Sequence, residues 1–187
     1  MLRILGGTLK GHPIKTPKTL ATRPVTSLLR KSMFDICQFF IENARVLDAF
    51  AGSGAIGLEA LSRDAGFVYF IDTNPIAIRC VKENLESLKL TPKARLLKQD
   101  AFHFLETYEG DPFDILFLDP PYPIGLQGYT HLLEILSHSK ALTSTSHIFL
   151  EAPSNLTLPL PEKRKSSGTI LYYFSANDSL ETNTSSL

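Results

Sequence analysis

The sequence lacks the features that would place the chain in a membrane or among disulfide-stabilised secreted proteins. None of its apolar runs approaches the roughly 20 residues that a membrane-spanning helix needs. The opening segment, 1–6, is too short for a secretory signal, and the residues after it are too polar. The two cysteines, Cys37 and Cys80, lie far apart and make neither a disulfide framework nor a metal site. We therefore expect a cytoplasmic protein with no membrane partner.

Motifs for metal and triphosphate chemistry are also missing. The five histidines show no metal-ligand spacing. Neither a Gly-Lys-Ser/Thr phosphate loop nor the zinc-deaminase signature occurs. The sequence thus predicts no metal site and argues against a nucleoside triphosphate site.

Acidic residues are absent from residues 1–34, although the net charge of the whole chain is zero. This segment, the basic arm, holds Arg3, Lys10, Lys15, Lys18, Arg23, Arg30 and Lys31. A basic arm on an acidic body indicates a polyanionic partner held at one end. The alternative is a solvated basic surface without a partner. We predict that the RNA-binding residues of the arm are Arg3, Lys10, Arg23, Arg30 and Lys31.

The rest of the chain alternates short β-rich runs with helical patterns. Strands are predicted at 45–49, 67–71, 94–97, 113–118 and 147–151, and helices at 55–64, 75–88, 101–107 and 129–138. Such alternation favours an α/β fold with a mostly parallel sheet covered on both faces. Two further β-like runs, 156–160 and 169–174, are expected to close the sheet as an antiparallel pair.

The first forty residues predict a small appendage. Residues 2–16 are typical of a β-ribbon, and an amphipathic helix is predicted from Thr26 or Ser27 to about Ile41. Its apolar face comprises Leu29, Met33, Ile36, Cys37 and Phe40, with Arg30 and Lys31 off that face. The predicted organisation is an arm at 1–41, a catalytic domain at 42–175 and a flexible tail at 176–187.

A glycine loop comes directly after the first of these strands. Residues 52–57 satisfy Gly-x-Gly-x-x-Gly, and Asp72 ends the next strand 20 residues after Gly52. This fingerprint by itself suits a nicotinamide enzyme, or a tight turn with no ligand. However, Asp48 stands just ahead of Phe50, Gly52 and Gly54, where a carboxylate would repel a pyrophosphate but attract a cationic amino acid group.

Two further observations favour S-adenosylmethionine as the cofactor. Asp100 and Ala101 come after the third strand, where a carboxylate can accept a hydrogen bond from the amine of adenine. The fourth strand ends in Asp-Pro-Pro-Tyr, which has no evident role in hydride transfer. The predicted cofactor-binding residues are therefore Asp48, Phe50, Gly52, Gly54, Asp72, Asp100 and Ala101.

The Asp-Pro-Pro-Tyr segment, Asp119, Pro120, Pro121 and Tyr122, is typical of a clamp for a planar amino group. An exocyclic purine amine is a poor nucleophile because its lone pair is delocalised into the ring. The Asp119 carboxylate and the Pro120 carbonyl can accept from its N–H groups, and the prolines stiffen the loop. Tyr122 offers a face on which the base can stack. We predict that these four residues are catalytic.

On these motifs the chain resembles the RsmD family of small-subunit rRNA guanine-N2 methyltransferases. The resemblance covers residues 1–174 and rests on Arg-x-x-Gly-Gly at 3–7, Lys-Gly at 10–11, Thr-Arg-Pro at 22–24, Arg30 with Phe34, the glycine loop and residues 119–122. It implies a Rossmann-like seven-stranded methyltransferase fold with S-adenosylmethionine as donor. It also implies a flipped guanine of 16S rRNA in an assembled or partly assembled small ribosomal subunit. We expect a monomer.

Two rival functions remain open on the sequence alone. DNA adenine-N6 methyltransferases share Asp-Pro-Pro-Tyr but usually carry a separate target-recognition region, for which 187 residues leave no room. A non-catalytic RNA-binding module on the same scaffold is the other possibility, and the intact acids at 48, 72, 100 and 119 argue against it. The Asp-Pro-Pro-Tyr motif alone does not distinguish guanine N2 from adenine N6.

Overall fold

The computed structural model describes residues 2–17, 27–166 and 168–176. Its strands are β1 (Leu2–Arg3), β2 (Pro13–Ile14), β3 (Arg45–Ala49), β4 (Phe67–Asp72), β5 (Ala94–Lys98), β6 (Ile115–Leu118), β7 (His147–Pro153), β8 (Glu162–Ser166) and β9 (Thr169–Ser175). Its α-helices are α1 (Ser27–Cys37), α2 (Ala55–Ser62), α3 (Pro75–Ser87), α4 (Ala101–Thr107) and α5 (Gly125–His138). Arg23 and the predicted tail beyond residue 176 lie outside the described residues.

Seven strands form one sheet in the order β5-β4-β3-β6-β7-β9-β8. The strands from β5 to β7 are parallel, and β9 and β8 are antiparallel to their neighbours. The predicted seven-stranded, mostly parallel sheet is confirmed. The chain runs from β3 outward to β5 and then returns to place β6 on the other side of β3. Loops after β3 and β6 therefore diverge, which opens a crevice at the carboxyl edge of the sheet.

The predicted strand at 156–160 is wrong, because the chain forms β8 at residues 162–166 instead. Pro159 and Pro161 cannot donate to a strand ladder, so the preceding apolar run does not pair. It packs as a loop, with Leu158 buried in the core. Two helix boundaries differ by about four residues, since α1 ends at Cys37 instead of Ile41 and α5 begins at Gly125 instead of residue 129. Helices α2 and α3 end one or two residues earlier than predicted.

Arg30 is not on an outer face of α1, which corrects the sequence prediction. Residues 30, 33, 34 and 37 share one side of the helix, and Arg30 is buried with them, with only 1% of its surface exposed. Its Nη2 donates to the carbonyl of Arg3 at 2.6 Å. Burial lowers the pKa of the guanidinium, an effect that the nearby Glu59 carboxylate opposes. A side chain in this position attaches the ribbon to the body and does not face RNA.

The ribbon, β1 and β2 with their connection, is docked on the end of α2. The amide of Leu5 donates to Glu59 Oε2 at 2.7 Å, and the amide of Thr8 donates to the carbonyl of Ser62 at 2.7 Å. Gly7 has a positive φ of 76°, and a Cβ on it would lie only 1.8 Å from the Ser62 carbonyl oxygen. Close backbone contact thus explains Gly7, whereas a Cβ on Gly6 would lie 2.3 Å from Nη2 of the Arg63 side chain.

Among the described residues, no helix is long and apolar enough to span a bilayer.

Candidate functional site

A cleft of about 1070 Å³ lies at the carboxyl edge of the sheet, where the loops after β3 and β6 diverge. It brings together most of the residues that the sequence predicted for the site. Those lining it are Asp48, Phe50, Gly52, Asp72, Asp100, Ala101, Asp119, Pro120, Pro121 and Tyr122. We call the part formed by the ends of β3, β4 and β5 the donor half, after the methyl donor that the sequence predicts there. The part formed by the ends of β6, β7 and β9 is the acceptor half, after the predicted methyl acceptor.

Asp72, in the donor half, holds the glycine loop in place. One carboxylate oxygen accepts from the amide of Gly52 at 2.8 Å, and the other accepts from the amide of Asn74 at 2.8 Å. The carboxylate remains partly exposed in the cleft. Asp72, which the sequence predicts as a ribose-binding acid, therefore links the ends of β3 and β4.

Asp48 lies in β3 beneath the glycine loop and is only 3% exposed. Its Oδ2 accepts from the amide of Gly57 at 2.9 Å, near the start of α2. Burial raises the pKa of Asp48 to about 8, and the carboxylates of Asp119 and Asp72 add to that effect. A cationic ligand group in the cleft would favour the ionised form.

Asp100 and Ala101 form the start of α4 at the far side of the donor half. Asp100 caps the helix, because its Oδ1 accepts from the amide of His103 at 3.0 Å. Phe50, with a positive φ of 70°, meets Phe102 edge to face with ring centroids 6.0 Å apart. Both rings line the cleft, and Phe102 was not among the residues predicted from the sequence. Together they give the donor half an apolar wall.

Gly54 is the predicted cofactor residue that the structure places behind the loop. It precedes α2 with a φ of 76°, and a Cβ there would lie 3.0 Å from a methyl group of Val81. It does not line the cleft. Gly54 therefore shapes the turn that leads into α2.

The acceptor half contains the Asp-Pro-Pro-Tyr segment directly after β6. Asp119 is partly exposed at the base of the cleft, and desolvation there raises its pKa to about 7. Pro120 is buried beside it, and Tyr122 begins a short helical turn. The Tyr122 hydroxyl is hydrogen-bonded to the hydroxyl of Thr169 on β9. The segment is therefore fixed both by its prolines and by the neighbouring antiparallel strand.

Glu151 on β7 also lines the acceptor half, although it was not predicted as a site residue. It is only 3% exposed, and its Oε1 has no hydrogen-bond partner among the described residues. Burial raises its pKa to about 9, and the charge of Asp119 contributes to the shift. The sequence does contain a signal for Glu151, because this acid directly follows a buried apolar run. The same pattern identified Asp119.

Of the predicted RNA-binding residues that the structure describes, Arg30 is buried and the other three, Arg3, Lys10 and Lys31, are exposed. Lys31 pairs with Asp35 at 2.8 Å. An additional basic side chain lies beside α1, since Arg164 on β8 donates to Ser32 Oγ at 2.7 Å. Leu2, Thr16 and Pro17 of the ribbon region line the cleft, so the arm borders its entrance.

Comparisons with known proteins agree with this fold and site. A family described as Conserved hypothetical protein 95 matches residues 2–169. A ribosomal RNA small subunit methyltransferase D from Buchnera aphidicola (subspecies Acyrthosiphon pisum) is 31% identical over 159 residues, 85% of this chain and 82% of that protein. One from Escherichia coli K12 is 35% identical over 158 residues, 84% of this chain and 78% of that protein.

A solved structure of a putative methyltransferase from Escherichia coli superposes with a TM-score of 0.79 at 30% identity. The superposition covers 93% of this chain and 97% of that one. The predicted methyltransferase fold is thereby confirmed. Since the family match spans the ribbon and nearly all of the sheet, the chain belongs to the Conserved hypothetical protein 95 family, which is the RsmD family that its motifs resemble.

Proposed function

We propose that the chain transfers a methyl group from S-adenosylmethionine to the exocyclic N2 amine of a guanine in 16S rRNA of the small ribosomal subunit. The observation that carries the proposal is that Asp119 and Pro120 line the same cleft as the donor-half acids Asp48, Asp72 and Asp100. Methyltransferase relatives that are named for small-subunit rRNA support the class of reaction and of substrate.

The donor half fits S-adenosylmethionine by the chemistry of its polar groups. Asp72 can accept from ribose hydroxyls, Asp100 can accept from the adenine amine, and Asp48 can pair with the cationic amino acid end. Phe50 and Phe102 supply apolar surface for the adenine ring. When bound, S-adenosylmethionine would supply a methyl group on a sulfonium, whose carbon an amine can attack so that the neutral thioether leaves.

The acceptor half acts on the amine that receives the methyl group. The Asp119 carboxylate and the Pro120 carbonyl accept hydrogen bonds from the N–H groups, which directs the nitrogen lone pair out of the ring system. The ring of Tyr122 stacks on the flipped base, an interaction worth about 1–3 kcal/mol per base in single-stranded complexes. Holding the reacting atoms in this geometry supplies most of the acceleration. The raised pKa of Asp119 also makes its carboxylate able to hold the proton that the methylated nitrogen loses.

The proposal is tested by methylating small ribosomal subunits isolated from a strain that lacks this gene. Purified protein and S-adenosylmethionine are added, and the rRNA nucleosides are identified by mass spectrometry. We expect N2-methylguanosine at one position, formed about 10²–10³-fold more slowly with Asp119→Ala as the matched control. N6-methyladenosine in its place would overturn the proposed base, and methylation of DNA alone would overturn the proposed substrate.

A further inference from the structure

Asp119 directly follows β6, and Glu151 lies beside it within the neighbouring strand β7. The register of β6 and β7 pairs Leu118 with Leu150, so the next residues on the two strands are these two acids. Neighbouring strands lie about 4.8 Å apart. The stacked rings of Phe117 and Phe149, two positions earlier, have centroids 5.0 Å apart. Because side chains alternate along a strand, Asp119 and Glu151 project from that same face of the sheet.

Glu151 lines the cleft, and its buried Oε1 is an acceptor that the described residues leave unmet. Its Oε1 has no partner within the described part of the chain, and its neighbour across the β7–β9 ladder is the apolar Leu171. The buried hydroxyl of Tyr129 does not bond to it, since that hydroxyl also lacks a partner among the described residues. Buried acceptors are almost always paired in native proteins, and leaving one unpaired costs free energy of folding. A ligand with a hydrogen-bond donor at this point would recover that cost.

The two acids together match one purine edge. Guanine carries N1–H directly beside its 2-amino group, so it presents adjacent donors, whereas adenine presents an amine beside the lone pair of N1. Although burial raises the pKa of Glu151, a hydrogen bond received from a ligand N–H favours the ionised carboxylate, which is an acceptor only. Enzymes that flip bases read them through hydrogen bonds to this edge. We propose, resting on the function proposed above, that Glu151 accepts a hydrogen bond from guanine N1–H while Asp119 holds the 2-amino group. Glu151 is thereby the residue that selects guanine over adenine.

The test uses a target base that keeps the reacting amine but loses N1–H. Once the methylated nucleotide has been mapped, 16S rRNA carrying 2-aminopurine at that position is prepared by ligation and assembled into subunits. For the wild-type protein we expect kcat/KM to be about 10- to 100-fold lower with 2-aminopurine than with guanine. Binding of the two substrates, measured by fluorescence anisotropy, should differ in the same direction. Equal values for the two bases in the wild-type protein would overturn the proposal without any variant.

The variant Glu151→Gln sharpens the test. Its amide can donate to the N1 lone pair of 2-aminopurine, so the preference for guanine should shrink to near unity or invert. Glu151→Asp keeps the acceptor-only carboxylate and should retain the preference at lower kcat/KM, which provides a second readout should the glutamine variant fold poorly. Affinity for S-adenosylmethionine, measured by calorimetry, should not change in either variant.

Glu59→Gln is the matched control, because Glu59 is equally buried but bonds to Arg63 and to the Leu5 amide away from the cleft. It should lower the melting temperature and leave the guanine preference as in the wild type. An unchanged preference in Glu151→Gln would overturn the inference while N2-methylguanosine formation still upheld the proposed function. Conversely, wild-type methylation of adenine would refute the proposed function itself.

Discussion

The two halves of the cleft use carboxylates in opposite ways. In the donor half, Asp48, Asp72 and Asp100 each accept at least one backbone hydrogen bond from the loop or helix that comes after their strand. In the acceptor half, Asp119 and Glu151 lie together in a desolvated position, and the described residues leave Glu151 Oε1 unpaired. Asp72 and Asp100 of the donor half thus also hold the fold, whereas Asp119 and Glu151 of the acceptor half cost it stability. Asp48 does both, because it bonds to the Gly57 amide while burial raises its pKa to about 8.

This difference predicts which substitutions separate activity from stability. Removing a donor-half acid leaves backbone amides without an acceptor, so both ligand binding and the free energy of unfolding should fall. Removing an acceptor-half acid relieves a desolvated charge, so the reaction should fail while the fold is kept or strengthened.

The largest effect is expected for Asp119→Ala. We predict a loss of about 10²–10³-fold in kcat, by analogy with removal of one preorganised electrostatic group. Affinity for S-adenosylmethionine should stay within about twofold, and the melting temperature should be unchanged or higher, because a desolvated carboxyl has been removed. Asp111→Ala, on the exposed loop before β6, is the control for loss of an aspartate. A large fall in melting temperature for Asp119→Ala would contradict the contrast between the halves.

A pH dependence of activity is expected from the same residue. Because desolvation raises the pKa of Asp119 from 3.8 to about 7, its carboxylate is fully available to accept hydrogen bonds only above that pH. We expect kcat/KM to fall about tenfold for each pH unit below about 7. A pH profile with saturating donor measures it, and a flat profile between about pH 5 and 7 would rule out an ionised Asp119 as the acceptor.

The free energy of unfolding should fall as the pH rises, whereas the activity should rise. The folded protein keeps a proton on Asp119 up to about pH 7, whereas the unfolded chain releases it near pH 4. The folded state therefore binds more protons in this interval, and the free energy of unfolding contributed by this group falls as the pH rises from about 4 to 7. Urea denaturation of the wild type and of Asp119→Asn checks it. The two proteins should differ in pH slope, and equal slopes would refute the assignment.

Asp72→Ala tests the donor half and should have a smaller effect. Loss of the ribose acceptor should weaken S-adenosylmethionine binding by about 1–3 kcal/mol, and the amides of Gly52 and Asn74 should lose their acceptor. Calorimetry and thermal unfolding should therefore both change, unlike for Asp119→Ala. Asp72→Asn keeps an acceptor oxygen and should lie between the alanine variant and the wild type. Weaker binding with an unchanged melting temperature would show that the loop does not depend on Asp72.

The smallest effects are expected in the basic arm, where Lys10 and Arg30 form a matched pair. Lys10 is exposed, so Lys10→Ala should flatten the salt dependence of RNA binding by roughly one unit of slope. Arg30 is buried against the ribbon, so Arg30→Ala should leave that slope unchanged and destabilise the fold by about 2–4 kcal/mol. Filter binding at several salt concentrations, with thermal unfolding, distinguishes the two. A flatter slope for Arg30→Ala would show that Arg30 contacts RNA, as the sequence analysis predicted.

The sequence by itself determined the order of strands and helices, the glycine loop and the acids at 48, 72, 100 and 119. These features are encoded locally, because buried strands appear as apolar runs and functional acids lie at or just after the ends of those runs. The expectation of a mostly parallel sheet came from the alternation of the two kinds of run.

Only the tertiary structure decided the roles of Arg30 and Glu151 and the position of β8. Arg30 is buried because the ribbon covers the side of α1 that it occupies, which no helical pattern shows. Glu151 lines the cleft because β7 pairs with β6. The order of strands in the sheet depends on which segments distant in sequence come together. Such long-range neighbours fix the surroundings of a side chain, and the neighbours of a residue in sequence do not.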